Sequence, residues 1–204
     1  CAMEVLSMSK RIMNEVMVLA EDLSIDIAYV DTDSMHVPRK DSKRLESAFK
    51  DKYATVRRRR GMRIDLLGRG EGSYGQFSTD FDFKDSWHFR NGKFRKVGAT
   101  VKTVGEVKAI RSIFLGKKSY IDELQDEAGN IAWHMRMKGA PTPCMLHLVA
   151  ERFRGPSGPD PMVFYQHLYE ARPAVIDMTT ADNCCFQTTR SHEVVTMPEF
   201  RRTL

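Results

Sequence analysis

The chain has 204 residues, of which 42% are hydrophobic and 29% charged, and a formal net charge of +5. That size and balance suit a globular protein of one domain, or one domain with a small lobe. No run approaches the roughly 18 apolar residues of a membrane span, and the start lacks a secretory layout, so the expectation is an intracellular protein that is not secreted and has no membrane partner.

Residues 2–22 read as an amphipathic helix, with Leu6, Met13, Val16, Met17 and Ala20 near one face. Asp22 to Ser24 should end it. A strand is expected over Ile25 to Val30, a tight turn over Asp31 to Ser34, and a return strand over Met35 to Val37 that Pro38 stops. Asp41 or Ser42 can cap a second helix running to about Val56, with Leu45, Phe49, Tyr53 and Val56 as its apolar stripe. The run Arg57 to Arg60 then offers phosphate contacts, a nuclear address or simply a solvated helix end. Gly68, Gly70, Gly72 and Gly75 lack the Lys-Ser/Thr ending of a P-loop and read as a connector.

Phe77 to Phe83 alternates like a strand. Asn91-Gly92 is a hairpin signal, and 93–115 suggests further strands or a short helix. Ser119 to Leu124 and Ile131 to Met137 predict a hairpin around Glu127 to Asn130. Pro141 and Pro143 mark a boundary, followed by helices over Cys144 to Phe153 and Met162 to Glu170, with a loop over Gly155 to Pro161. From Ala174 the tail reads as extended. The fold class expected is α+β.

Cys1, Cys144, Cys184 and Cys185 include no C-x-x-C pair, and adjacent cysteines rarely bridge, so they read as reduced thiols. The six histidines show no ligand spacing. Charge is unevenly placed. Residues 84–118 hold ten basic side chains against Asp85 and Glu106, an excess of +8 in 35 residues. Such a block marks a polyanion-facing surface, with a solvated face as the bland alternative.

Asp31 and Asp33 follow an apolar strand. In extended backbone, side chains two apart point to the same side, which would project both carboxylates together. Paired hard oxygen donors suit Mg²⁺ chemistry on phosphates; an Asx-turn closing a hairpin is the alternative. Downstream, Lys117 and Lys118 can hold phosphates or reach minor-groove base edges. The Tyr120 ring can pack on a sugar. After Arg136, Lys138 offers a point charge and Gly139 a backbone that another molecule can approach closely, a weak signal when taken alone.

Taken in order, these elements carry a resemblance. Tyr29-Val30-Asp31-Thr32-Asp33-Ser34 resembles the third palm motif, Tyr-x-Asp-Thr-Asp-Ser, of family B DNA polymerases. Lys117-Lys118-Ser119-Tyr120 resembles their Lys-Lys-x-Tyr element, and Lys138-Gly139 the Lys-Gly pair between palm and thumb. Leu168-Tyr169-Glu170, Val175-Ile176-Asp177 and Met197 to Arg202 are similar to the thumb end of viral and protein-primed members. The resemblance implies a palm with an antiparallel sheet and packed helices over 1–138, and a small thumb over 139–204.

It also implies template-directed nucleotidyl transfer from dNTPs onto a DNA primer-template, with two Mg²⁺ ions. Asp33 would be the direct metal ligand, and Asp31 a secondary ligand or electrostatic support. Thr32 and Ser34 would fix the turn, and Tyr29 would either pack on the primer terminus or belong to the core. Lys117, Lys118, Tyr120, Arg136, Lys138 and Gly139 would grip DNA. A viral member would work in the host nucleus or at a replication site.

The first palm motif and the fingers motif of that family are absent from the sequence, as are recognisable exonuclease carboxylates. The chain lacks an initiator Met, and the expectation is a portion that acts with the remainder of a polymerase, in a longer chain or a second subunit, and is inactive alone. A catalytically dead palm–thumb remnant that binds duplex or scaffolds a complex is the main rival. A haloacid dehalogenase-type phosphotransferase fits worse, since Met35 stands where that family wants Thr or Val. Reverse transcriptases place two adjacent aspartates on their hairpin, unlike Asp31-Thr32-Asp33.

Overall fold

The computed structural model describes residues 2–59, 81–98, 103–179, 191–194 and 202–203. The chain divides into two compact units, Cys1–Asp80 and Phe81–Leu204. Both belong to a mixed α+β fold with antiparallel sheets and several helices.

In the first unit, helix α1 (Ala2–Asp22) leads to a short hairpin of β1 (Tyr29–Asp31) and β2 (Ser34–His36), then to helix α2 (Arg39–Arg59). The end of α1 is set by a left-handed residue. Ser24 has φ 54°, its N–H reaches Glu21 O, and Ile25 N–H reaches Ala20 O, both at 2.8 Å. This double bond closes the last turn and brings Ile25 onto Ala20. Val16, Ala20, Ile25, Leu45 and Phe49 form the buried core, with Met35, Val37 and Tyr53 packed around it. The Arg44 guanidinium also donates to Leu23 O, tying α2 to the end of α1.

Several expectations here are corrected. The strand is only Tyr29–Asp31, not Ile25 to Val30, because Ile25 turns into the core directly after the helix cap. The return strand is Ser34–His36, ending before Val37. Helix α2 starts at Arg39, before either expected cap. Ser42 lies inside its first turn and donates its hydroxyl back to Arg39 O at 2.9 Å. Leu6 is exposed on α1.

The second unit is built on a six-stranded antiparallel sheet. Its strands are β3 (Trp87–Arg90), β4 (Lys93–Lys96), β5 (Lys108–Gly116), β6 (Ser119–Gln125), β7 (Ile131–Arg136) and β12 (Arg202–Thr203), in the order β12-β5-β6-β7-β3-β4. Asn91 and Gly92 join β3 to β4 with φ of 52° and 76°, the left-handed pair that a two-residue hairpin needs. Helices α3 (Thr142–Arg152) and α4 (Pro161–Tyr169) share one core with Ile113, Leu115, Ile121, Met135 and Met137 of the sheet. Residues on both sides of 138/139 therefore contribute to that core. Fully burying a side chain such as Ile121 is worth about 1.5–3 kcal/mol.

A smaller core of Phe83, Val97, Val107, Leu124 and Ala132 lies on the other face. Between the two helices, β8 (Arg154–Gly155) and β9 (Gly158–Pro159) pair inside the expected loop. In the tail, β10 (Ala174–Asp177) pairs with β11 (Ser191–Val194).

The strand expected over Phe77 to Phe83 is also corrected. Its first four residues lie outside the described ones, and the rest is not strand. Phe83–Asp85 is a 3₁₀ turn, capped where the Asp82 carboxylate accepts from Lys84 N–H at 2.8 Å. A local side-chain bond of this kind competes directly with a strand ladder. The glycine-rich stretch from Gly68 to Gly75, Arg60, and the tail residues 195–201 also lie outside the described residues.

Candidate functional site

The hairpin β1–β2 pairs Tyr29 with His36, Val30 with Met35, and Asp31 with Ser34. Thr32 and Asp33 form its tip, both exposed, while Asp31 is half-buried. Thr32 takes φ 52°, a conformation costly for a β-branched residue. Alternation along the strand therefore stops at Asp31, and the same-side argument does not extend to Asp33.

Three bonds hold the tip. Asp33 N–H donates to Asp31 O at 2.6 Å, Ser34 Oγ donates to the same carbonyl at 3.0 Å, and Thr32 Oγ1 donates to Asp31 Oδ1 at 3.2 Å. The Tyr29 ring meets His36 edge-on at 5.5 Å and is half-buried. Two carboxylates at one tip are hard oxygen donors of the kind Mg²⁺ takes. Among the described residues, no group of three or more His, Cys, Asp or Glu is placed to hold a metal ion. Two carboxylates are fewer ligands than Mg²⁺ takes.

The expected nucleic-acid residues lie in the second unit, at one end of its sheet. Lys117 and Lys118 are the exposed tip of the β5–β6 hairpin, closed by Gly116 opposite Ser119, with Lys118 at φ 60°. Tyr120 pairs across with Arg136. Beyond β7, Lys138 and Gly139 form an exposed turn, and Gly139 has φ 84°, which favours glycine. Lys138 N–H donates to Ser119 Oγ at 3.1 Å. The Lys-Lys-Ser-Tyr and Lys-Gly elements, 19 residues apart, are joined by that bond. Four basic side chains (Lys117, Lys118, Arg136 and Lys138) belong to these two turns and the strand end between them.

Beneath this end, on the face opposite α3 and α4, a polar row crosses three strands in register. Ser112 Oγ donates to Asp122 Oδ1 at 2.6 Å, and His134 Nδ1 lies 3.6 Å from Asp122 Oδ2. Asp122 is fully buried. The His134 ring meets Tyr120 edge-on at 5.6 Å. On the helix side, Tyr165 donates its hydroxyl to Arg136 O at 2.7 Å, and burial pushes that phenol well above its ordinary range. The strand end carrying Arg136 is thus fixed from both faces.

Sequence reasoning alone does not single out Ser119, Ser112, Asp122 or His134. Ser112, Asp122 and His134 are polar residues on strands, and Ser119 stands in the variable place of the Lys-Lys-x-Tyr element. No protein-family model, curated protein or solved structure matches the chain.

Proposed function

We propose that this chain is the palm and thumb portion of a family B-type DNA polymerase, with the palm over 1–138 and the thumb over 139–204. Support comes above all from the Ser119–Lys138 hydrogen bond. It couples two separately recognised elements whose assigned task is the same, gripping the primer-template. Charge at that end is positive and exposed, and backbone contacts of this type grip any sequence equally, as a copying enzyme requires.

The Asp31–Asp33 hairpin would provide the carboxylates of nucleotidyl transfer. Mg²⁺ bound there would lower the pKa of the primer 3′-hydroxyl and neutralise charge on the triphosphate. Asp33, exposed at the tip, would bind metal directly. Asp31, held by Thr32 Oγ1, would be a second ligand or a fixed negative charge beside it. A further carboxylate and the triphosphate-binding helix would come from the remainder of the polymerase, as a longer chain or a partner subunit.

Binding and extension of a primer-template by the 204-residue chain test the reading together. The chain should bind duplex and fail to extend a primer. Replacing Lys117 and Lys118 with Ala should reduce the salt dependence of binding by about 0.9 log unit for each phosphate no longer neutralised. Unchanged salt dependence would remove the gripping role, and extension that survives Asp33→Asn would remove the carboxylate assignment.

A further inference from the structure

Facing residues on an antiparallel pair share a face. The register of β3 and β4 sets His88 opposite Arg95 and Arg90 opposite Lys93, so one face of this hairpin carries four basic side chains. Arg90, Lys93 and Arg95 are exposed, and His88 is half-buried. Partial burial, then the charges of Arg90 and Arg95, hold the His88 imidazole below its ordinary range. The other face is aromatic. Phe89 meets Phe94 at 5.0 Å, Phe94 meets Trp133 at 6.1 Å, and Trp87 and Phe94 pack on the main core.

Elsewhere in the sheet, facing charges are matched. Arg111 sits opposite Glu123 in a two-pronged ion pair, and Asp122 sits between Ser112 and His134. Like charges directly opposite one another destabilise a ladder. The one acid in residues 84–98 is Asp85, and Lys96 takes it at 2.9 Å. Three exposed cations, Arg90, Lys93 and Arg95, without a local acid to match them are therefore complementary to an external polyanion.

We propose that the His88–Arg90–Lys93–Arg95 face is a second docking surface for the sugar-phosphate backbone of a nucleic-acid duplex, separate from the Lys117–Lys118 and Lys138 turns. It rests on the nucleic-acid reading above and adds a new surface to it. Because β3 runs antiparallel to β7, the Asn91-Gly92 end lies at the opposite end of the sheet from Lys138. One strand spacing and about six residues of strand separate Arg136 from Arg90, roughly 20 Å. A duplex of about six base pairs spans that distance. Phe89 and Phe94 point to the other face, so the cationic face offers charge without the stacked aromatic platform that unpaired bases use. This favours duplex over single strand.

The test is duplex binding over a salt series by the chain with Arg90, Lys93 and Arg95 all changed to Gln, on a duplex of about 20 base pairs, long enough to reach both surfaces, and a single strand of equal length. The expected result is a salt slope smaller by about 2–3 units, with wild-type thermal stability or better, since the like-charge rung of Arg90 and Lys93 is relieved. A second variant, Arg90→Gln with Lys93→Gln, should lose about two-thirds of that change.

An unchanged slope overturns the proposal, including the case where the variant self-associates through a bare β4 edge, because the cations would then serve only to protect that edge. Wild-type protein preferring the single strand also overturns it. If the Lys117→Ala, Lys118→Ala protein keeps its slope as well, the nucleic-acid reading itself fails. If that protein loses slope and the hairpin variant does not, only this second surface fails.

Discussion

Lys138 donates its backbone N–H to the Ser119 hydroxyl, and this single bond joins the turn after β7 to the turn between β5 and β6. It fixes the spacing of Lys117, Lys118 and Lys138 without using any of their charges. Removing the hydroxyl should therefore separate positioning from charge. Ser119→Ala is expected to cost about 0.5–1.5 kcal/mol of unfolding free energy and to weaken duplex binding several-fold, with the salt slope unchanged. Lys138→Ala should instead lower the slope by about one unit. Equal salt slopes for these two proteins would show that Lys138 makes no phosphate contact.

The tip of the β1–β2 hairpin carries strain where the carboxylates stand. Thr32 sits at φ 52°, which costs a β-branched residue about 1–2 kcal/mol. Glycine would remove that cost and lose the bond from Thr32 Oγ1 to Asp31 Oδ1. Thr32→Gly is expected to hold or raise stability by up to about 1 kcal/mol and to weaken Mn²⁺ binding, read by electron paramagnetic resonance. Weakened stability with intact Mn²⁺ binding would mean that the threonine does not orient Asp31.

Much of the fold is legible in local chemistry. Asn91-Gly92 announces its hairpin because few other pairs accept two left-handed residues, and α1 follows its apolar stripe from Met13 to Ala20. What misleads is competition between local and tertiary bonding. Ile25 reads as strand but becomes the cap contact of α1, and Asp82 turns a strand-like stretch into a 3₁₀ turn. The candidate site divides in the same way. The motif residues are readable in order along the chain, but the Ser119–Lys138 bond and the Ser112–Asp122–His134 row depend on strand register, which no short motif encodes.

The Asp160 carboxylate caps α4, accepting from Met162 N–H at 2.8 Å, yet burial holds its pKa above the ordinary value and Glu123 adds to the rise. A raised pKa in the folded state means that the folded protein binds this proton more tightly. The stabilisation is complete below the unfolded value of about 3.9, and is lost as pH rises through the folded value. At neutral pH the charged group is a liability. Asparagine caps as well as aspartate and cannot titrate. Asp160→Asn should match or exceed wild-type melting temperature at about pH 7 and lose that advantage near about pH 3, below the unfolded value. A lower melting temperature at neutral pH would show that the carboxylate charge is needed at the cap.

Ser112 and Asp122 form a buried pair at 2.6 Å, and Asp122 in turn faces His134, whose ring touches Tyr120. A neutral partner removed from a buried carboxylate leaves lone pairs unsatisfied, so Ser112→Ala should cost about 1–3 kcal/mol. Asp122→Asn keeps an acceptor for the serine but loses the charge beside His134. A double-mutant cycle between Ser112→Ala and Asp122→Ala should give a coupling energy of about 0.5–3 kcal/mol. The row also bears on Tyr120. If Asp122 positions that ring through His134, Asp122→Asn should lower duplex affinity with little change in salt slope, and Tyr120→Ala added to it should lower affinity no further. Additive losses in that pair would mean that Tyr120 is positioned by its strand alone.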